Sequence, residues 1–152
     1  MKVRKKACVV LLCALVLAGC SSQPTQPTER TDIIDVIVRA AENPRGVDAD
    51  VEFVIVGVGE GSGHEAGRWF LNSEPNYRDF RSLNIILHPR VVQALREAEG
   101  VEYASDLLGR RVRVQGQAFR VQINFSCQGR VTEAHYFQTH LPVARLRQIE
   151  FL

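Results

Sequence analysis

The side chains in this sequence that could do chemistry fall into three groups, and their spacing sorts them. The first is sulfur: Cys20 ends the tetrapeptide Leu17-Ala18-Gly19-Cys20, Cys8 and Cys13 lie inside the apolar run before it, and Cys127 stands alone. A lone thiol makes no intrachain disulfide, and without a CxxC pair it supports neither thiol exchange nor a Cys-based zinc site. A buried, inert Cys127 is the expectation. The second group is imidazole and carboxylate. His135 and His140 fall on opposite faces of a continuous strand, His64 sits in a Gly-rich loop and His88 precedes a helix. None has zinc-ligand spacing, so no metal or cofactor is expected. No GxSxG, P-loop or HExxH segment occurs, and Glu60, Glu65 and Glu74 read as solvated loop charges, so no catalytic residue is assigned. The third group is aromatic, amide and guanidinium: Trp69, Asn72, Tyr77, Arg78, Arg81, Arg113 and Tyr136 are the ligand-binding candidates. Rings offer stacking platforms, and Arg offers a planar fork for carboxylate or phosphate.

The start of the chain sets the address. Lys2, Arg4, Lys5 and Lys6 precede an apolar stretch from Ala7 to Ala18, a segment too short to span a bilayer as a mature helix. With its terminal Leu-Ala-Gly-Cys, this leader resembles the lipobox signal of bacterial lipoproteins. The resemblance implies that residues 1–19 are removed, that Cys20 carries a diacylglyceryl group on sulfur and an acyl group on its new amine, and that the chain is held at a membrane. Several acyl chains anchor stably where one does not, at about 0.8 kcal/mol per buried methylene. Ser21 after the Cys is similar to lipoproteins sorted to the outer membrane, on its periplasmic face.

Cleavage at Cys20 changes the charge. Four of the nineteen basic residues leave with the leader and none of the seventeen acids does; the fifteen that stay are all Arg, a balance of −2. The basic character belongs to the precursor and gives no argument for nucleic acid. Residues 20–30 begin with the lipid site and continue as SSQPTQPTER, too polar to bury itself, which reads as a disordered tether. Residues 31–152 suffice for one domain.

Within that domain Ile33, Ile34, Ile37, Ala40 and Ala41 fall at helical spacing after the capping residues Thr31 and Asp32, and Asn43-Pro44 stops the run. Val51–Val58 is apolar on both faces apart from Glu52 and predicts a strand covered on two sides. Residues 59–67 read as a Gly-rich loop, 68–72 and 83–87 as strands, and Pro89 to Gly100 as a helix with its N1 proline and its stop. A strand begins at Arg111, with Gly116 as a bulge or bend. Phe119, Val121, Ile123 and Phe125 then alternate with polar residues, the chain turns at 126–130, and a partner strand returns. Ile149–Leu152 closes the sheet. The expected fold is mainly β with minor α, a five-stranded OB-fold-like Greek-key barrel with a helix between strands three and four and a short helix before it.

The run FLNSEPNYRDFRSLN from Phe70 to Asn84 resembles a group of exported bacterial OB-fold proteins with an "LNSE…DYRD" segment between strands two and three. Leu108–Gly116 is similar to their entry into strand four, and Gln148–Phe151 to their closing strand. The resemblance spans Val47–Leu152, and the chain departs from it in a longer hairpin at 119–138. It implies the barrel and no settled activity. On the residues alone, 72–79 reads as a turn bonded to itself, with Arg78 reaching Glu74 or Asp79 and Tyr77 packed on the barrel. The alternative makes Tyr77, Arg78 and Arg81 a ligand surface. Trp69, Tyr77, Tyr136 and Phe137 read mostly as core residues. The expectation is therefore a non-enzymatic envelope binding module that meets a protein partner through the 119–138 hairpin. Single-stranded nucleic acid, or an oligosaccharide, on the barrel face and a small envelope enzyme are the alternatives.

Overall fold

Asp32 begins the ordered architecture by accepting the Ile34 N–H at 2.8 Å, which caps helix α1 (Ile33–Glu42). The β-branched residues Ile33 to Val38 are compatible with a strand, but helix wins because Val36 and Ala40, one turn apart, bury together against the sheet. The Asn43 side-chain amide donates to the Arg39 carbonyl at 2.8 Å and ends the helix. The structure, a computed structural model, describes residues 31–152. The leader, Cys20 and the tether lie outside the described residues.

Seven strands follow: β1 (Val47–Val54), β2 (Gly57–Glu60), β3 (Trp69–Asn72), β4 (Leu83–Leu87), β5 (Arg111–Cys127), β6 (Arg130–Val143) and β7 (Ile149–Phe151). Helix α2 (Pro89–Glu99) stands between β4 and β5, with His88 Nδ1 accepting the Arg90 N–H and Gly100 in the left-handed region at φ 66°. The order across the sheet is β1-β5-β6-β4-β3-β2, with β7 on β5. Every pairing is antiparallel except β4 with β6. The fold is thus a mainly β, curled half-barrel sheet with two helices.

Of the two strands beyond five, one is the short closing strand β7 and the other has a local cause. The Ile55 amide donates to the Arg110 carbonyl on the β5 side, whereas the next amide, Val56, donates to Asn72 on the β3 side. The chain changes neighbours between those two residues, so what the apolar run suggested as one strand at 51–58 is two. Strand pairing also begins earlier, at Val47, and reaches into the expected loop as far as Glu60. Two-sided cover of this run is not found. Val51, Phe53 and Ile55 are buried, but Val54 and Val56 are exposed on the outer face.

One core cluster holds Val36 and Ala40 of α1, the inward residues of β1, β3, β4 and β5, and Val91, Val92 and Leu95 of α2. On the outer face of β1 and β5, Arg113 donates two bonds to the buried Asp50 carboxylate at 2.8 and 2.6 Å, and Gln115 adds a third at 2.7 Å. The β5–β6 hairpin turns on two residues, Gln128 (φ 50°) and Gly129 (φ 76°), tighter than the expected turn at 126–130. Two consecutive left-handed residues suit the right-handed twist of a hairpin. Cys127 stands next to this turn and is exposed, which corrects the expectation of a buried thiol.

Gly116 is paired with Ala49 of β1 and lies between the last residue of β5 paired with β7, Val114, and the first paired with β6, Phe119. It sits in continuous strand rather than a bulge, and a Cβ there would lie 2.9 Å from Leu141 Cδ2, a side chain with no room to retreat. Gly116→Val is expected to overpack this junction and cost about 1–3 kcal/mol. Urea unfolding should show a lowered midpoint; an unchanged midpoint would mean the junction is loose.

Candidate binding cleft

Strand alternation sends one set of residues outward at the far side of the sheet from Asp50. The registers Phe70↔Ile86, Asn72↔Asn84, Asn84↔His140, Ile86↔Pro142 and Ile123↔Tyr136 place these side chains on one face, four strands wide. They floor a cleft of about 670 Å³ walled by loop 61–68, by Tyr77 of the segment between β3 and β4, and by the root of the β5–β6 hairpin.

The wall segment is built from its own short-range bonds. Asn76 Oδ1 accepts the Arg78 N–H at 3.0 Å, Asp79 Oδ1 accepts the Arg81 N–H at 2.9 Å, and Ser73 Oγ accepts the Leu83 N–H at 2.9 Å. Asn and Asp side chains stabilise such turns by standing in for backbone acceptors. Gly57 lets the segment close on β2, since a Cβ there would meet the Glu74 carbonyl at 2.9 Å. Arg81, not Arg78, pairs with Asp79, through two bonds at 3.1 and 2.9 Å. That guanidinium holds the Asp79 carboxyl down to about 2. Arg78 instead lies over the rings of Tyr77, Phe125 and Tyr136 at 5.2, 5.7 and 5.7 Å. Its charge is favoured above the ordinary Arg range, first by hydrogen bonding to Tyr136 and then by Tyr77.

The remaining polar groups tie the walls to the floor. Gln138 Nε2 donates to the Tyr77 carbonyl at 3.1 Å and to Tyr136 Oη at 3.3 Å, which leaves its Oε1 to accept from His140 Nε2–H, the tautomer this arrangement favours. Glu65 pairs with Arg68 at 2.9 Å, and Glu60 Oε1 accepts the Ala104 N–H at 2.9 Å. Two floor atoms have no protein partner: Asn72 Oδ1 and Asn84 Nδ2, on side chains that are 5 % and 2 % exposed. They belong to facing residues of β3 and β4. A buried amide atom left unpaired costs about 1–3 kcal/mol, so an orphan acceptor beside an orphan donor marks a place suited to an incoming polar group.

The candidates read from the sequence divide on these coordinates. Asn72, Tyr77 and Tyr136 meet in the cleft and Arg78 stacks at its rim, whereas Arg81 is spent on Asp79 and the adjacent Phe80 ring. Trp69 is 2 % exposed and inward-facing, with Arg96 over its ring, and so belongs to the core. Arg113 is bound to Asp50 and does not line the cleft. Conversely, Tyr77 (45 % exposed) and Phe137 are exposed and Tyr136 half-buried, which corrects their reading as core. Phe70, Asn84, Gln138 and His140 were missed. The period-two pattern could have found Phe70, since it must face opposite to Trp69; nothing in sequence marks the amides.

No protein-family model matches the chain, and no curated protein matches it at a significant level. Among the described residues no cluster of three His, Cys, Asp or Glu side chains is arranged to hold a metal, and no helix is long and apolar enough to cross a membrane.

Burial lowers the His140 pKa from 6.5, against a smaller opposing pull from Glu65. The unfolded chain therefore takes up this proton first as pH falls, and stability drops below about pH 6.5 until the folded ring also protonates. An NMR titration should place the His140 midpoint below 6.5, and His140→Gln should flatten the decline in urea stability between pH 7 and 5. A midpoint above 6.5 would reverse the sign.

Proposed function

We propose that this protein is a lipid-anchored, non-enzymatic binding module of the bacterial cell envelope, tethered through Cys20 and taking its ligand in the cleft on the outer sheet face. The leader and its Leu-Ala-Gly-Cys ending support the anchor, and Ser21 supports the outer membrane, periplasmic face. The OB-type reading of the barrel is supported by connectivity. If β1 and β2 are taken as two halves of one bent strand, the order β1-β5-β6-β4-β3-β2 closes on itself as a five-member ring. That ring has one parallel pairing, β4 with β6, and a helix between its third and fourth strands. In that frame the cleft lies on the face of the second and third strands, between the first and fourth hairpins, where such barrels take oligomeric ligands.

The observation that carries the binding role is the pair of buried, unpartnered amide atoms on the cleft floor. A non-catalytic role is supported by how the charged groups of the cleft are used. Glu60 holds Ala104, and Glu65 holds Arg68.

Two measurements test this. Cys20→Ala in the full chain should move the protein from the membrane to the soluble fraction; persistence in the membrane would end the lipid-anchor claim. A photo-crosslinking amino acid in place of Tyr77, in intact envelopes, should give a discrete adduct that the same group at Glu97, on the exposed side of α2, does not. Equal labelling from both positions, or none, would end the cleft-binding claim.

A further inference from the structure

We infer that the ligand of this cleft is a neutral, hydroxyl-rich glycan strand, one hydroxyl of which bridges Asn72 Oδ1 and Asn84 Nδ2. The inference rests on the cleft-binding reading and adds the class of ligand to it.

The argument begins with the two orphan atoms. Asn72 and Asn84 face each other across an antiparallel pair, so their side chains begin about 4.5–5.5 Å apart; both orphan atoms are covered in the unliganded cleft, and one small group admitted between them would touch both. One atom is an acceptor and the other a donor. A hydroxyl both donates and accepts, so one oxygen satisfies the pair. It does so as the amides stand, and equally if both are turned together, when the roles simply exchange. A carboxylate or phosphate oxygen only accepts and an ammonium only donates; each would leave one buried amide atom unsatisfied.

The charge inventory points the same way. Arg68 is paired with Glu65, and Arg78 lies over three aromatic rings at the rim. Burial disfavours the charged form of His140, whose Nε2–H donates to Gln138 Oε1. A nucleic acid strand needs a cationic groove along its phosphates, and the floor supplies uncharged amides instead. A peptide strand gains most of its affinity from a free sheet edge, whereas this floor is a sheet face whose backbone groups are engaged in ladders. Sugar rings present flat C–H faces ringed by hydroxyls. Phe70, Tyr77 and Tyr136 give such faces aromatic surface, and Gln138 and His140 lie between them.

The test uses the full-length, lipidated protein in nanodiscs and fluorescence anisotropy of end-labelled cellohexaose and chitohexaose, with an end-labelled oligothymidylate and an unrelated hexapeptide alongside. At least one hexasaccharide should bind, with affinity nearly independent of salt between 50 and 500 mM (about one decade in ionic strength). Tyr77→Ala, at an exposed wall position where folding is not at stake, should weaken it about tenfold or more. Asn84→Leu should weaken it further, with circular dichroism confirming the fold. If neither hexasaccharide binds, or binding ignores Tyr77→Ala, the glycan inference fails. Tight, steeply salt-dependent binding of the oligothymidylate alone, or of the peptide alone, also overturns it. An adduct at Tyr77 in intact envelopes with no hexasaccharide bound sinks the glycan inference and leaves the binding module standing, whereas absence of any adduct sinks the module itself.

Discussion

Strand β5 holds this molecule together by serving three neighbours in seventeen residues. Its first half lies between β1 and β7, and its second half pairs with β6. The change of partner falls at Ala118–Phe119. Just before it, at Gly116, Leu141 of β6 fills the space a side chain would need and Gln148 donates to the Gln115 carbonyl. Thr139 and His140 of β6 pair with both β5 and β4, and from there β6 runs along β4 in parallel register. The cleft depends on that transfer, because its floor is made of β3, β4 and β6, while one wall is the continuation of β5.

Local punctuation was legible in the chain. Asp32, Asn43, Pro89 and Gly100 bound the two helices where the sequence places them, and Leu83–Leu87 is a strand end to end. These features depend on neighbours a few residues apart, where propensity and capping act. The break between β1 and β2 was not legible, because Val51–Val58 is uniformly apolar and the change of pairing partner at Ile55–Val56 is set by which distant strand is nearer. The position of Cys127 failed for a related reason. Burial is the default for a lone thiol, but the hairpin that carries Cys127 runs past the core, and Val131, across from Ser126, is 73 % exposed.

The site was half legible, and the division follows alternation. Choosing Trp69 rather than Phe70 put the ring on the wrong face by one residue, the characteristic error of a period-two structure. Arginines were weighted for charge, yet each of Arg68, Arg81 and Arg113 finds a carboxylate, and Arg78 finds rings. Such pairing is invisible in sequence because Asp50 and Arg113 stand sixty-three residues apart. What pairing leaves behind on the cleft floor is a facing pair of amides with free hydrogen-bonding capacity. Of these the sequence singles out Asn72 but not Asn84, because composition weights charged residues.

The hairpin joins these features mechanically. Its root supplies Ile123 and Tyr136 to the cleft, and Gln138 ties that root to the Tyr77 carbonyl on the opposite wall. Further out, Arg120 lies 3.8 Å above the Phe137 ring and His135 meets the same ring edge-on, on the face of the hairpin that continues the core side. There side chains of the ribbon pack on one another rather than on the barrel, up to the register shift between Asn124 and Ser126. A ribbon braced in this way transmits its root geometry outward instead of fraying inward, so the wall bearing Tyr136 keeps its position without cover from the domain core. The width of the cleft is then set by two polar links, Gln138 to Tyr77 and Arg78 across the Tyr77 and Tyr136 rings. Both can rearrange for a small displacement of the wall segment, which is held mainly by its own turns. Fit to a ligand is therefore governed by segment 73–82, while the amides beneath it are fixed by the sheet.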